Sequence, residues 1–422
     1  MKSKKLWAVL LSASMAASGC GMLSNAAVIP PISHSQPFSA MAVGPGVHNL
    51  SPADELTRYQ WALKNDGDLY STEYKQIQSL PPNIQQIGEN PTADPGYISP
   101  GPGSYETVIQ TAIPGIDINL LPAWELYDQS ESKGQVTVAV IDTGIDITHP
   151  QLAEALWTNP GEIPGDGIDN DSNGYIDDIY GWNFYSGNNQ VFTGSEDDHG
   201  THAAGTIGAK RGDSGITGIT DNDYVKIMSL KALGGAEGQG SADSIIQAIK
   251  YAEANGATIC NLSLGTSFHS EELADAIQNS SMLFIVACGN GGIAGLGYSI
   301  DDFPVYPASY SFDNVLSVAN LSFTGQLDQS SNYGAQSVDL AAPGTYILSC
   351  IPGGQYGYMS GTSMAAPMVT GVAAMVSSYP PDLTPLQIKD VLIGSARPLE
   401  SLQGKTASGG MLDAYQALQY PI

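Results

Sequence analysis

Apolar runs rich in β-branched residues alternate along this chain with segments of helical periodicity. A run of about four to eight apolar residues is typical of a strand buried on both faces, and longer segments with apolar residues three and four apart are typical of a packed helix. Alternation at this spacing predicts a three-layer α/β fold, with a mostly parallel central sheet and helices on both faces. We predict strands at residues 136–141, 225–233, 258–264, 283–289 and 315–320, and helices at residues 242–255, 271–279, 364–376, 384–396 and 413–419.

Three short motifs place an acid, a base and a hydroxyl in a fixed order. Asp142 lies in Val-Ile-Asp-Thr-Gly, His199 opens His-Gly-Thr-His, and Ser363 lies in Gly-Thr-Ser-Met-Ala-Ala-Pro. Taken singly, they have ordinary explanations: a turn, a metal ligand or surface histidine, and a helix cap. Acid before base before hydroxyl is one of the chain orders in which nucleophilic triads occur. We therefore predict Ser363 as nucleophile, His199 as its base and Asp142 as the group that orients the base.

With their flanking residues, these motifs resemble the subtilisin-like serine proteases, the subtilases, over roughly residues 54–418. The resemblance implies the subtilisin-like three-layer fold and a serine endopeptidase that acts through an acyl-enzyme. It also implies that the side-chain amide of Asn290, with the backbone N–H of Ser363, donates to the oxyanion. Cys288 stands where a small alanine is usual in the family. By the same resemblance His202, the second histidine of its motif, has a structural role.

Two glycine-containing segments resemble the family's strands that pair with an extended substrate. One consists of Ser263, Leu264 and Gly265, and the other contains Gly234 and Gly238. Glycine lets a substrate backbone approach closely and add a strand. Main-chain pairing discriminates little between side chains, so we expect a broad or apolar preference.

An acidic segment at residues 169–178 has oxygen-bearing side chains at alternate positions and a glycine at the sixth, like the first half of an EF-hand loop. Its twelfth position is Tyr180 instead of Glu, so the loop is not a complete EF-hand. The alternative is a plain acidic turn, but neighbouring carboxylates repel one another without a cation. We predict a structural Ca²⁺ site, and no organic cofactor, with these ligands: Asp169, Asp171, Asn173, the carbonyl of Tyr175, Asp177 and Asp178.

The amino terminus is typical of an export signal. Residues 1–20 have a basic start, an apolar stretch and then small residues. They end in Ala-Ser-Gly-Cys, which resembles the lipobox of bacterial lipoproteins with Cys20 as the lipidated residue; the alternative is a plain secretory signal. Residues 21–53 are predicted to be a flexible tether and residues 54–422 the catalytic domain. The alternative is that residues 54–103 form a divergent prodomain.

The charge balance restricts the partners. The chain has 42 acidic against 15 basic residues, a formal net charge of −27. Such a surface repels nucleic acid and anionic membranes. We therefore expect protein or peptide substrates, no nucleic-acid partner, and membrane contact only through a lipid anchor. We expect a monomer that is exported from a bacterial cell and is either secreted or held at the cell surface.

Three cysteines lie beyond the signal: Cys260, Cys288 and Cys350. Their odd number argues against a complete disulfide framework. Two of them lie on predicted buried strands, where a free cysteine acts as a small apolar residue. The alternative there is a Cys260–Cys288 bridge.

Two functions compete with general protein degradation. One is a dedicated processing protease for a single secreted partner. The other, from a different class, is a catalytically silent lipoprotein that binds peptides. A complete set of catalytic residue types argues against the silent protein.

Overall fold

A nine-stranded sheet forms the centre of the fold. The structure is a computed structural model, which describes residues 56, 59–67, 70–76, 105–212, 215–235, 238–291, 295–379 and 383–421. The strands are β1 (Tyr70–Gln76), β2 (Tyr105–Thr111), β3 (Val136–Asp142), β4 (Gly181–Asn183), β5 (Val225–Lys231), β6 (Leu233–Gly234), β7 (Gln239–Gly240), β8 (Ile259–Leu262), β9 (Leu283–Ala287), β10 (Val315–Leu321), β11 (Leu340–Pro343), β12 (Ile347–Ile351), β13 (Gln355–Met359), β14 (Arg397–Pro398) and β15 (Gly410–Met411).

The central sheet confirms the predicted parallel arrangement. Its order is β14–β15–β11–β10–β9–β8–β3–β5–β4. Every neighbouring pair is parallel except β14 and β15 at one edge. Strands β8, β9, β10 and β11 are buried along their whole length, as their apolar sequences predict. The carboxyl ends of β3, β8 and β9 therefore lie side by side at one edge, where sites form in open α/β sheets.

Helices cover the sheet and complete the predicted three layers. They are α1 (Leu120–Asp128), α2 (Asp198–Gly208), α3 (Ala242–Ala254), α4 (Glu271–Gln278), α5 (Thr362–Ser378), α6 (Pro385–Gly394) and α7 (Ala414–Gln419). Helix α5 packs against α2 and against β8, β9 and β10, while α3 packs against α4 and against β3 and β5. Almost every residue of α5 is buried, which matches its apolar sequence. Among the residues described, none of the helices is long and apolar enough to span a membrane.

Side-chain caps explain where several helices begin. Ser241 accepts a hydrogen bond from the N–H of Ser244 at the start of α3, and Thr384 does the same for Gln387 at the start of α6. Each pair forms a capping box, which satisfies backbone N–H groups that the helix itself leaves free. Observed and predicted helix bounds therefore differ by only one or two residues for these helices.

The segment before the sheet packs onto the same core. Gln60 exchanges two hydrogen bonds with the backbone of Thr217, and Trp61 Nε1 donates to the carbonyl of Thr345 at 3.0 Å. Beyond it, β1 and β2 form an antiparallel pair, from Tyr70 opposite Thr111 to Gln76 opposite Tyr105. The predicted signal, Cys20 and the predicted tether all lie outside the described residues.

Candidate active site

Asp142 and His199 meet at the carboxyl edge of the sheet. Asp142 is the last residue of β3, and His199 is the second residue of α2. His199 Nδ1 lies 2.7 Å from Asp142 Oδ1, and both side chains are buried. Since a carboxylate can only accept, Nδ1 carries the proton, and in the neutral ring Nε2 is left as an acceptor. Within the described part of the chain, that buried Nε2 atom has no hydrogen-bond partner.

A tight turn after β3 allows this contact. The N–H of Thr143 donates to Asp142 Oδ1 at 2.6 Å, and Thr143 Oγ1 accepts from the N–H of Gly200 at 3.1 Å. Gly144 has φ of +119°, and a Cβ there would lie 2.6 Å from the carbonyl oxygen of Val191. A Cβ on Gly200 would lie 2.3 Å from the carbonyl oxygen of Gly144. The glycines of both motifs are therefore required for turn and helix to approach this closely.

Ser363 and Asn290 lie at the amino-terminal end of α5. Ser363 is the second residue of that helix, so its N–H has no acceptor within the helix. Asn290 Oδ1 accepts from the N–H of Thr362 at 3.0 Å. This bond leaves the Nδ2 group of Asn290 as a donor, 3.2 Å from the ideal Cβ position of Gly361. The two predicted oxyanion donors, Asn290 Nδ2 and the N–H of Ser363, therefore both lie at the amino-terminal end of α5.

Ser263 connects the segment after β8 to the start of α5. Its Oγ donates to the carbonyl of Ser363 at 2.9 Å and accepts from Asn261 Nδ2 at 2.9 Å. The Ser363 hydroxyl in turn donates to the carbonyl of Ser263 at 3.2 Å. The Ser263 side chain therefore braces the site, and only the backbone of this segment is left to serve as the predicted substrate wall.

Val305 fills the space between the segments that follow β8 and β9. An ideal Cβ on Gly265 would lie 3.0 Å from Val305 Cγ1, and one on Gly289 would lie 3.4 Å from the same methyl group. The backbones of Thr266 and Tyr306 exchange two hydrogen bonds, at 2.8 and 2.7 Å, which holds Val305 in place. Glycines of both segments thus lie against one buried apolar side chain.

The other predicted substrate wall has an aromatic neighbour. Gly234 belongs to β6, which pairs antiparallel with β7, and Gly238 lies in the turn between these strands. The Tyr185 ring lies over Gly234, where an ideal Cβ would be 2.7 Å from two ring carbons. Tyr185 is 49% exposed and is therefore available to a ligand on this wall.

Burial and, for His199, charged neighbours set the protonation of the two histidines of α2. Burial lowers the pKa of His199, but the charge and hydrogen bond of Asp142, with a further contribution from Asp198, raise that pKa above its ordinary value. Burial raises the pKa of Asp198, and the nearby His199 opposes that rise. Burial lowers the pKa of His202 to about 4. His202 Nε2 lies 2.9 Å from the carbonyl oxygen of Ile347, so this histidine holds the hairpin of β12 and β13, in agreement with its predicted structural role.

The structure gathers only part of the predicted calcium ligand set. Oxygen atoms of Glu162, Asp171 and Asp178 lie within 4.8 Å of one another. The Nδ2 group of Asn173 donates to both Asp171 and Asp178, at 3.0 and 2.9 Å. Three hard carboxylate oxygens this close, two of them on buried residues, fit a cation such as Ca²⁺.

Asp169 and Asp177, two further predicted ligands, are not part of that cluster. Asp169 accepts from the N–H groups of Asn173 and Gly174, at 3.0 and 2.8 Å. Asp177 accepts from the N–H groups of Gly165 and Gly167, at 2.7 and 3.0 Å. The ring of Tyr175 packs against Trp182, Phe184 and Tyr251. In place of Asp169 and Asp177, the acidic cluster takes in Glu162, which lies before the recognised sequence motif.

Cys260, Cys288 and Cys350 are buried free thiols. Burial raises the pKa of Cys288 to about 12, and its Sγ donates to the carbonyl of Asn332 at 3.1 Å. The thiol two residues before Asn290 is therefore un-ionised and is part of the core.

A family model for the subtilases matches residues 133–415, which contain the described site. The chain belongs to the subtilase family. Two solved structures resemble it: a cold-adapted subtilisin-like serine proteinase (TM-score 0.52, 27% identity, 68% of this chain and 91% of that chain) and a protease from Pseudoalteromonas arctica PAMC 21717 (TM-score 0.54, 28% identity, 72% of this chain and 94% of that chain). These matches confirm the predicted family and the subtilisin-like fold.

Curated relatives are similar over the same region. The subtilisin-like protease 1 of Plasmodium berghei (strain Anka) is 33% identical over 327 residues, which are 73% of this subtilase and 53% of that protein. The major intracellular serine protease of Bacillus subtilis (strain 168) is 34% identical over 274 residues, which are 63% of this chain and 77% of the relative. The chain thus spans about half the length of the first relative and three quarters of the second.

Proposed function

We propose that this subtilase is a serine endopeptidase that hydrolyses peptide bonds through an acyl-enzyme. The observation that carries the proposal is the buried 2.7 Å contact between His199 Nδ1 and Asp142 Oδ1, which leaves Nε2 as an acceptor on a helix packed against α5. Ser363 is on the first turn of α5, where the helix dipole stabilises developing negative charge. A silent peptide-binding protein has no need for a buried, oriented base.

In the proposed reaction, the Ser363 hydroxyl turns from the carbonyl of Ser263 to His199 Nε2. Nε2 takes the hydroxyl proton as Oγ attacks the scissile carbonyl carbon, and the imidazolium that forms is stabilised by Asp142. His199 then gives this proton to the leaving amine as the C–N bond breaks. In the second half of the reaction, His199 Nε2 takes a proton from a water molecule as that water attacks the ester carbon. His199 then returns the proton to Ser363 Oγ as the ester bond breaks and the carboxylic acid leaves.

The negative charge of the tetrahedral intermediate falls on the former carbonyl oxygen. We infer that Asn290 Nδ2 and the N–H of Ser363 donate to it, because neither group has an acceptor within α5 and both lie at its amino terminus. Donors placed in advance need no reorganisation when the charge develops, and this makes them effective in the transition state.

The substrate is proposed to bind as an extended strand between the backbone of residues 263–265 and that of Gly234, Gly235 and Gly238. Such binding uses main-chain hydrogen bonds and accepts many sequences. At the cleavage site, the apolar Val305 methyl group between Gly265 and Gly289 favours an apolar side chain. We therefore propose a broad specificity with an apolar preference at the residue whose carbonyl is attacked.

The test is a mixed peptide library incubated with the purified protein. Cleavage at many sequences, enriched for apolar residues before the cut, supports the proposal. The Ser363→Ala variant is the control and should leave the library intact. A folded wild-type protein that binds peptides but cuts none would support the silent alternative, and a single cleaved sequence would support a dedicated processing protease.

A structural Ca²⁺ ion is proposed to bind at Glu162, Asp171 and Asp178, where its positive charge offsets the mutual repulsion of the carboxylates. Binding only to the folded state at about 100 times the dissociation constant stabilises a protein by roughly 2.7 kcal/mol. Calcium should raise the melting temperature of wild type, and Asp171→Asn should erase that rise. The comparison variant Asp169→Asn, outside the cluster, should keep most of it. Equal melting with chelator and with calcium would rule out the site.

The cellular location is likewise a proposal. It rests on the signal-like residues 1–20 and on Cys20 at the end of a lipobox-like sequence. Expression of the full chain in a bacterium with labelled palmitate should label wild type, whereas Cys20→Ser should be unlabelled and released. Unlabelled, secreted wild type would support the plain secretory signal instead.

A further inference from the structure

A buried ion pair lies behind the contact between Asp142 and His199. Lys231 Nζ is 2.6 Å from Asp197 Oδ1, and the two side chains are only 3% and 0% exposed. Lys231 ends β5, directly opposite Asp142 in the parallel register of β3 and β5. Asp197 immediately precedes α2, two residues before His199. The pair therefore joins the strand that carries the acid to the helix that carries the base.

Each partner is anchored to one side of the site by additional bonds. Lys231 Nζ also donates to the carbonyl of Thr143, the residue after Asp142. Asp197 Oδ2 accepts from the N–H of Thr193 at 2.5 Å and from its hydroxyl at 3.1 Å. All of these groups are on or next to the two segments whose separation sets the distance from His199 Nδ1 to the carboxylate.

The backbone of Asp197 makes a second connection of the same kind. Its carbonyl accepts from Thr201 Oγ1 at 2.6 Å, and Thr201 Oγ1 accepts from the N–H of Asp146 at 2.9 Å. The start of α2 is thus tied to the turn after β3 at three points: the ion pair, this Thr201 bridge and the bond from the N–H of Gly200 to Thr143 Oγ1. Only one of these points, the ion pair, depends on a pair of charges.

We propose that Lys231 and Asp197 are positioning residues that hold the acid and the base of this site in register. The inference rests on the proposed function, since it assigns a role in turnover to groups that do not reach the substrate. An ordinary structural ion pair would contribute to stability alone. A positioning pair must also affect kcat, because a displacement of about 1 Å in a reacting group can cost on the order of 10²-fold in rate.

The test measures kcat and KM per folded molecule for Lys231→Met, which keeps the length of the side chain and removes its charge. We expect kcat to fall at least about tenfold while KM stays within about twofold, because the buried Lys231 ammonium makes no hydrogen bond to the described residues of either predicted substrate wall and lies 5.9 Å from the centroid of the Tyr185 ring beside Gly234. The matched control is Lys389→Met. Lys389 Nζ likewise donates to a backbone carbonyl, that of Val315 at 2.5 Å, and lies 3.8 Å from Asp339 Oδ1, but it joins α6 to the sheet away from the site. The kcat of Lys389→Met should equal that of wild type.

The double variant Lys231→Met, Asp197→Asn separates positioning from stability. A single substitution leaves one buried charge without its partner, which destabilises the fold, whereas the double substitution leaves none. The double variant should therefore recover much of the melting temperature yet keep the low kcat. If Lys231→Met does not fold, the kcat of the double variant tests the inference in its place.

A wild-type kcat in either folded variant would overturn the inference. A return of kcat together with stability in the double variant would do the same, since the pair would then act on folding alone. Failure of the proposed function is a different result: wild type and Lys389→Met would themselves fail to turn over peptide.

Discussion

His202 should make this protein less stable in mild acid. Its side chain is fully buried, and its Nδ1 atom has no hydrogen-bond partner among the described residues. Burial lowers the pKa of His202 to about 4, against about 6.5 in an unfolded chain. Between these values the unfolded state binds more protons than the folded state, so the free energy of unfolding falls as the pH falls.

The size of the effect follows from the two pKa values. At pH 5 the unfolded histidine is almost fully protonated and the folded one is mostly neutral, which lowers the free energy of unfolding by about 2 kcal/mol. The loss approaches about 3 kcal/mol below pH 4 and vanishes above pH 7. His202→Gln, which keeps a donor for the carbonyl of Ile347 and cannot be protonated, should lack this component.

The assay is urea unfolding at pH 7.5 and pH 5 in a Ser363→Ala background, which prevents autolysis. The free energy of unfolding lost between the two pH values should be about 2 kcal/mol larger for the protein that retains His202 than for its His202→Gln variant. His149 and the carboxylates contribute equally to both proteins and cancel in the difference. An identical pH dependence in the two proteins would refute the reasoning.

Three further predictions concern catalysis. Asn290→Ala should lower kcat by about 10²–10³-fold, the loss established for the oxyanion asparagine of subtilisin itself, with little change in KM; a normal kcat would remove it from that role. Asp142→Asn should lower kcat by about 10⁴-fold, as for triad aspartates in known serine proteases. It should also move the acid limb of the pH–rate profile to lower pH, because only Asp198 then opposes the lowering of the His199 pKa by burial, and an unmoved limb would contradict the assigned contact. Two peptides that differ only in having phenylalanine or alanine before the cut test Val305. The ratio of their kcat/KM values, phenylalanine over alanine, should be higher in Val305→Gly than in wild type, and an unchanged ratio would show that Val305 does not contact that side chain.

The sequence was most informative where backbone geometry dictates the residue. The glycines near Asp142 and His199 are needed for the close approach of the turn after β3 and the start of α2. Their presence in the two motifs therefore predicts that contact. Parallel strands such as β8 and β9 are buried on both faces, and continuous apolar runs therefore identified them. The predicted strand at 225–233 is in fact two strands, β5 and β6, because the chain bends after Lys231.

Residues whose role depends on distant partners could not be found this way. Lys231 is a charged residue at the end of a strand, which normally indicates exposure, and only the position of Asp197 explains its burial. Glu162 joins the acidic cluster from outside the sequence motif. Val305 is an ordinary apolar residue until the two glycine segments on either side of it are placed in space.

The proposed function depends above all on Ser363 being a nucleophile that this site activates. The most direct measurement is labelling with a fluorophosphonate, in which the Ser363 oxygen bonds to phosphorus as fluoride leaves, followed by mass spectrometry of the peptides. We expect one label, on Ser363, which is lost in Ser363→Ala and retained in Ser360→Ala, where an exposed serine three residues earlier is replaced. A folded wild-type protein that takes up no label, or labelling that persists in Ser363→Ala, would contradict this role of Ser363.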